Sequence, residues 1–179
     1  MINDYEATMD MTTDAVPVAS STDSNDSVIL TLNGLIEVCR DGQQGFKDAA
    51  EGIGHADLKT LFYSFSQQRA EFTGILQELV RSLGGTPANT GSFSGTLHRG
   101  WMDLKSAITG KNDAAILNEC ERGEDFAKEA YAGAFGKSLP SNLANVIAEQ
   151  SHAILAAHNR IKELRDAEAR KAKTAAPGV

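Results

Sequence analysis

Basic charge is scarce in this chain: 17 Lys and Arg face 24 Asp and Glu, for a net charge of −7. Nothing in that balance resembles a phosphate-binding footprint, which excludes nucleic acid as the expected partner. Long apolar runs are absent as well, and none approaches the roughly 20 residues that a membrane span needs. Aromatics make up 6% and proline only 4 of 179 residues. A sandwich of short strands needs more of both, so helices packed through Ala, Leu and Ile are expected. Cysteine occurs twice, as Cys39 and Cys120, far apart and each within a helical pattern. That spacing suits neither a zinc site nor a disulfide framework, and two reduced core thiols are expected. The first 26 residues hold Asp4, Glu6, Asp10, Asp14, Asp23 and Asp26 with no Lys or Arg and no apolar stretch. They lack every part of a secretory signal and read as a disordered acidic arm, and a cytoplasmic protein is expected.

What is present is helical periodicity, in four long segments. The first is expected over about Ser27 to Ile53, with Asp26 or Ser27 as cap, Gly52 and Gly54 as the stop, and Val28, Leu32, Leu35, Cys39, Phe46, Ala49 and Ile53 as its buried stripe. A second, about Ala56 to Leu83, presents Leu58, Phe62, Phe65, Phe72, Leu76, Leu79 and Leu83 and ends at Gly84-Gly85. The third, about Asp113 to Phe135, carries Ile116, Cys120, Ala127, Tyr131 and Ala134. In the fourth, about Ser141 to Glu168, the stripe is Leu143, Ile147, Ile154, Ala157, Ile161 and Leu164. The bundle thus spans 27–168, and residues 169–179 read as a flexible tail.

Short links make segments one and two, and segments three and four, antiparallel hairpins. Between the second and third lie Gly84 to Asn112, enough to travel the length of the bundle, with a short helix expected over Ser94 to Thr109. A crossover of that length leaves segments two and three parallel, the ferritin-like arrangement of a four-helix bundle.

Several motifs carry a resemblance: Asp41-Gly42 with Gly45-Phe46, Gly84-Gly85, Gly91-Ser92, His98-Arg99-Gly100-Trp101, the run Glu119-Cys120-Glu121-Arg122-Gly123-Glu124-Asp125, and Gln150 with His158. In these the chain resembles an uncharacterised bacterial ferritin-like four-helix-bundle family, a domain of unknown function, over about Val28 to Asp166. The resemblance implies a ferritin-like fold and no established activity. It departs at Gln68, where members often carry Glu before the Arg.

Ferritin-like bundles commonly hold a di-iron centre built from inward Glu residues and two Glu-x-x-His pairs. One such spelling exists, Glu149-Gln150-Ser151-His152. At about 100° per residue, however, the fourth stripe is centred on Gln150; His152 points about 180° away and Glu149 about 100° off. The inward polar residues are instead Gln43, Gln68, Arg69, Glu124 and Gln150, which the hairpins and the crossover bring to one height. One carboxylate, three amides and a permanent cation suit an Arg69–Glu124 ion pair better than two hard cations.

A non-catalytic, cofactor-free bundle with a binding or structural role is therefore expected, stress-associated by fold analogy. Two alternatives stand beside it. One is a di-iron oxidase or peroxidase using Glu121, Glu124, Glu149, His152 and His158 after some helix rotation. The other is an adaptor that captures a protein partner through the acidic arm; homo-oligomerisation is left open. His158 is expected on an inner flank, closer to Cys120 than to any inward acid, so that the two spell a nucleophile pair without an acidic orienter. Trp101 with Leu97 and Leu104 is expected to pin the crossover, and Gly91, Ser92, Ser94 and Gly95 form only a weak anion cradle. Glu119, Glu121 and Asp125 read as a solvated face, with Arg122 pairing inside it.

Overall fold

The computed structural model describes residues 21–89, 103–110, 112–137 and 139–175, all of it helix, turn and short connection. Helix α1 spans Ser21–Gly52, α2 Ala56–Ser82, α3 residues 103–109, α4 Asp113–Phe135 and α5 Ser141–Ala175. Among the described residues no helix is long and apolar enough to cross a membrane. The outer helices overrun their expected bounds. α1 starts at Ser21, inside the stretch expected as a disordered arm, where the sequence Ser-Thr-Asp-Ser is of residue types favoured at helix starts. α5 continues to Ala175, through the expected flexible tail, because Ala-Arg-Lys-Ala-Lys is made of strong helix formers and contains no breaker. Residues 1–20, Leu97 to Trp101 and the Gly91 to Gly95 run lie outside the described residues.

Direction follows from two apolar clusters at opposite ends of the bundle. One joins Val28 at the start of α1, Val80 at the end of α2, Ala134 at the end of α4 and Leu143 at the start of α5. The other joins Ile53, Phe62, Ile116 and Ile161, the opposite ends of the same four helices. α2 and α4 are therefore parallel to each other and antiparallel to α1 and α5. α1 packs on α2 and α4, and α5 packs on the same two, which sets α2 and α4 across the diagonal.

Two corners define the crossover. α2 ends in a Schellman turn, with Gly84 at φ +80°, Gly84 N–H on the Arg81 carbonyl and Gly85 N–H on the Val80 carbonyl. The chain then runs along α1: Asn33 donates to the Thr86 carbonyl at 3.1 Å and accepts from Ala88 N–H at 2.8 Å. At the far end Asn112 caps α4 by accepting from Ala115 N–H, and Asp113 accepts from Gly54 N–H at 3.1 Å. That bond ties the start of α4 to the α1–α2 corner.

α2 differs most from its expected stripe. Its buried line is Phe62, Ser66, Arg69, Thr73, Leu76 and Val80, while Phe65, Phe72, Leu79 and Leu83 are only partly buried beside it. Polar residues thus hold the centre of the inward face, with their hydroxyls satisfied by carbonyls: Ser66 donates to Gln43 and Thr73 to Arg69.

α3 sits on the end of α1 where Gly52 leaves no room. A Cβ added there would lie 2.5 Å from Ile108 Cγ1 and 3.0 Å from Ile108 Cβ, whereas one at Gly74 would meet nothing within 4 Å. Gly52→Ala is expected to destabilise the protein by about 1–3 kcal/mol through overpacking. Gly74→Ala is expected to stabilise it by about 1 kcal/mol through helix propensity. Urea unfolding of the two variants checks both signs.

Candidate functional site

The centre of the bundle is built around Arg69. Position 69 lies on the buried line of α2, so the guanidinium enters the core, where its Nη2 donates to Glu124 Oε2 at 2.6 Å; both side chains are almost fully buried. Its Nη1 donates to Gln68 Oε1 at 2.6 Å. The rings of Phe46 and Phe72 lie 5.7 and 5.5 Å from the guanidinium carbon, and cation–π attraction offsets part of its lost hydration. Burial pushes the Glu124 carboxyl above the usual carboxylate range, and the Arg69 charge counters that only in part.

Gln150 is buried at the core but takes a different partner. It accepts from the Tyr131 hydroxyl at 2.7 Å, and that hydroxyl is 3.1 Å from Cys39 Sγ. Gln43 is half-buried, and its backbone carbonyl, rather than its amide, receives the Ser66 hydroxyl. The five polar residues expected as one layer thus divide: Gln68, Arg69 and Glu124 form one hydrogen-bonded group, and Gln150 belongs to another with Tyr131 and Cys39. Tyr131 and Cys39 count as apolar stripe positions in a helix projection, which is why their hydrogen bonds were not legible.

Of the residues in the expected metal alternative, Glu149 and His152 are exposed and Glu124 is taken by Arg69. Glu121 and His158 do approach each other, together with Asp125: their ligand atoms lie within 4.8 Å of one another. This corrects two expectations. Glu121 is buried rather than solvated, and His158 faces Asp125, with its Nε2 2.9 Å from Oδ1, rather than Cys120. The reason is the α4–α5 contact, which turns one flank of α4 toward α5. Both carboxylates have cations: Lys128 Nζ is 3.0 Å from Asp125, and Arg165 pairs with Glu121. Cys120 is wholly buried and burial pushes its thiol far up, while the Cys39 thiol is pushed up to about 11. Neither is a thiolate at neutral pH, so the Cys120–His158 pair has no nucleophile.

A feature absent from the helix projections adjoins the ion pair. Between α1 and α4 lies a cavity of about 150 Å3, walled mainly by Val38, Phe46, Leu104, Phe126 and Ala127 and reaching Arg69 and Glu124. Gly42, Gly45 and Gly123 line it from helix interiors, and a Cβ at Gly45 or Gly123 would meet nothing within 4 Å. Glycine there costs about 1 kcal/mol of helix propensity per position. These three residues were the only sequence signal of the space. Beside it, Asp41 Oδ2 and Arg69 Nε are buried with no hydrogen-bond partner among the described residues. At the rim Arg122 is shared between Glu119 and Asp103.

Burial, with Glu37 nearby, pushes the Asp41 carboxyl from the ordinary 3.8 up to about 6. A raised carboxylate takes its proton more readily folded than unfolded, so its contribution is fully present below about pH 4 and lost as pH rises through about 6. Asp41→Asn is expected to flatten the stability profile between pH 4 and 6. It should raise stability at pH 7 by about 1 kcal/mol, solvent screening holding the gain below the full shift. Chemical unfolding across that pH range measures both effects.

Asp41-Gly42, Gly45-Phe46 and, from the Glu119 to Asp125 run, Glu119, Cys120, Arg122, Gly123 and Glu124 therefore meet at the cavity and its ion-paired floor. No curated protein matches the chain. A family model described as a domain of unknown function, DUF2383, matches residues 27–137, which covers α1 from Ser27 onward, α2, the crossover and α4. The chain belongs to the DUF2383 domain family.

Proposed function

We propose that this chain is a ferritin-like bundle in which an Arg–Glu ion pair takes the central position that bundles of this architecture give to metal, and that it serves as a non-catalytic binding or structural protein. The observation that carries the reading is the Arg69–Glu124 contact at 2.6 Å, with both groups buried. Two hard cations require several anionic oxygens around them, and this centre offers one carboxylate beside a permanent positive charge. The residues present do not fit a di-iron group there. The Glu121, Asp125 and His158 cluster fits poorly too, since a metal would have to displace Lys128 and Arg165 from the carboxylates they already neutralise. Catalysis lacks support elsewhere in the described core: both thiols are held protonated, and the Tyr131 hydroxyl is pushed up by burial. We assign the protein to a reducing, cytoplasmic setting, which suits two buried cysteines with no disulfide between them. A stress-associated role extends the reading by analogy of fold.

A double-mutant cycle with chelator controls tests this. Removing one partner of a buried ion pair strands the other, so Arg69→Met and Glu124→Gln are each expected to cost about 3 kcal/mol. The double variant should recover most of that loss, because no charge is then left in the core. Chelator should leave the melting temperature of the wild type unchanged. Additive losses, or a wild type destabilised by chelator and carrying near-stoichiometric iron or manganese, would replace this reading with the di-iron one.

A further inference from the structure

We infer that the cavity between α1 and α4 is a binding site for a neutral, apolar molecule of about the size of one aromatic ring. The inference deepens the reading of the protein as a non-catalytic binder and rests on it. At about 150 Å3 the space equals that in which a dry protein cavity takes up benzene. Its wall is mainly hydrocarbon: Val38 and Phe46 of α1, Leu104 of α3, and Phe126 and Ala127 of α4. A ring seated there gains dispersion contacts with these side chains that they cannot make with one another across the space. Both helices keep the room open. Gly45 on α1 and Gly123 on α4 line the cavity, and a Cβ on either would meet nothing within 4 Å.

The charges around the space disfavour a charged occupant. Arg69 and Glu124 are taken up by each other, and Arg122 by Glu119 and Asp103. Asp41 Oδ2 and Arg69 Nε have almost no accessible surface, so neither atom is offered to an incoming group. The carboxyls of Asp41, Glu119 and Glu124 share a second property. Burial pushes all three above the ordinary carboxylate range, Glu124 even with a guanidinium 2.6 Å away. Surroundings that disfavour charge on the protein's own carboxylates disfavour it on a ligand as well. Cys120, also on the wall, is held by burial as the neutral thiol. With the ion pairs closed on themselves, recognition falls to shape and apolar area, and an unfunctionalised ring matches both.

The test titrates benzene, phenol, benzylamine and benzoate into the full chain and follows the amide signals of Gly45 and Gly123 together with the melting temperature. Benzene is expected to bind and to raise the melting temperature. Phenol should bind about tenfold more weakly, the penalty for a hydroxyl buried without a partner. Benzylamine and benzoate should not bind at neutral pH. Gly45→Leu and Gly123→Leu fill the space from opposite walls, and each is expected to abolish benzene binding with the melting temperature held or raised. Leu104→Ala, which widens the space, should admit naphthalene, which the wild type rejects. No uptake of benzene by the wild type would mean that the chain itself occupies the space and would overturn the inference. Undiminished benzene binding by both folded glycine variants would do the same, as would benzylamine or benzoate binding as tightly as benzene. Iron and manganese content and the chelator response of the same preparation judge the metal-free reading, so either conclusion can fail alone.

Discussion

The ion pair between Arg69 and Glu124 constrains the whole bundle, because it is made across the diagonal. α2 and α4 are not packing neighbours, yet the charges they bury must meet. A slip of one helical turn would carry Arg69 about 5.4 Å along the axis and leave two unpaired charges in the core. Apolar side chains tolerate such slips far better. The pair therefore specifies the relative height of two helices that the hydrophobic contacts alone hold only through their neighbours.

Stability comes from elsewhere. Glu124 remains above the usual carboxylate range even beside the guanidinium, which means that desolvation outweighs the attraction it receives. The two apolar clusters lie on either side of the polar centre and clamp it, one around Leu32, Leu76 and Ile147, the other around Phe62, Ile116 and Ile161. Phe46 and Phe72 complete the clamp by covering the guanidinium. Specificity resides in the polar middle and stability in the apolar ends.

Much of this was legible from periodicity. The stripes of α1, α4 and α5 match the buried lines, Leu164 alone being only partly buried, because their apolar residues fall on one line of the helix: Val28, Leu32 and Phe46, or Ile116 and Tyr131, or Ile147, Ile154 and Ile161, are all buried. α2 misled because its aromatics are bulky enough to reach the core from its flanks, so Phe65 and Phe72 resemble the centre of a stripe that Ser66, Arg69 and Thr73 occupy. Single-helix projection also failed for Glu121 and His158. Each looked lone or solvated on its own helix, and only the contact between α4 and α5 makes them neighbours. The cavity was beyond such reading, since a void is defined by what several helices jointly fail to fill.

Several features that lower stability meet at one place in this molecule. Three helix-interior glycines, a half-buried carboxylate with no cation among the described residues and a guanidinium nitrogen with no acceptor among them line or reach the space between α1 and α4. At the Glu121, Asp125 and His158 cluster the reverse holds: each carboxylate has a cation, and His158 Nδ1 lies 3.2 Å from the Asn159 carbonyl oxygen of its side chain. A network whose charges are matched is complete as it stands. Around Asp41 and Arg69 the local choices of glycine and of unmatched polar atoms oppose the fold instead of completing it.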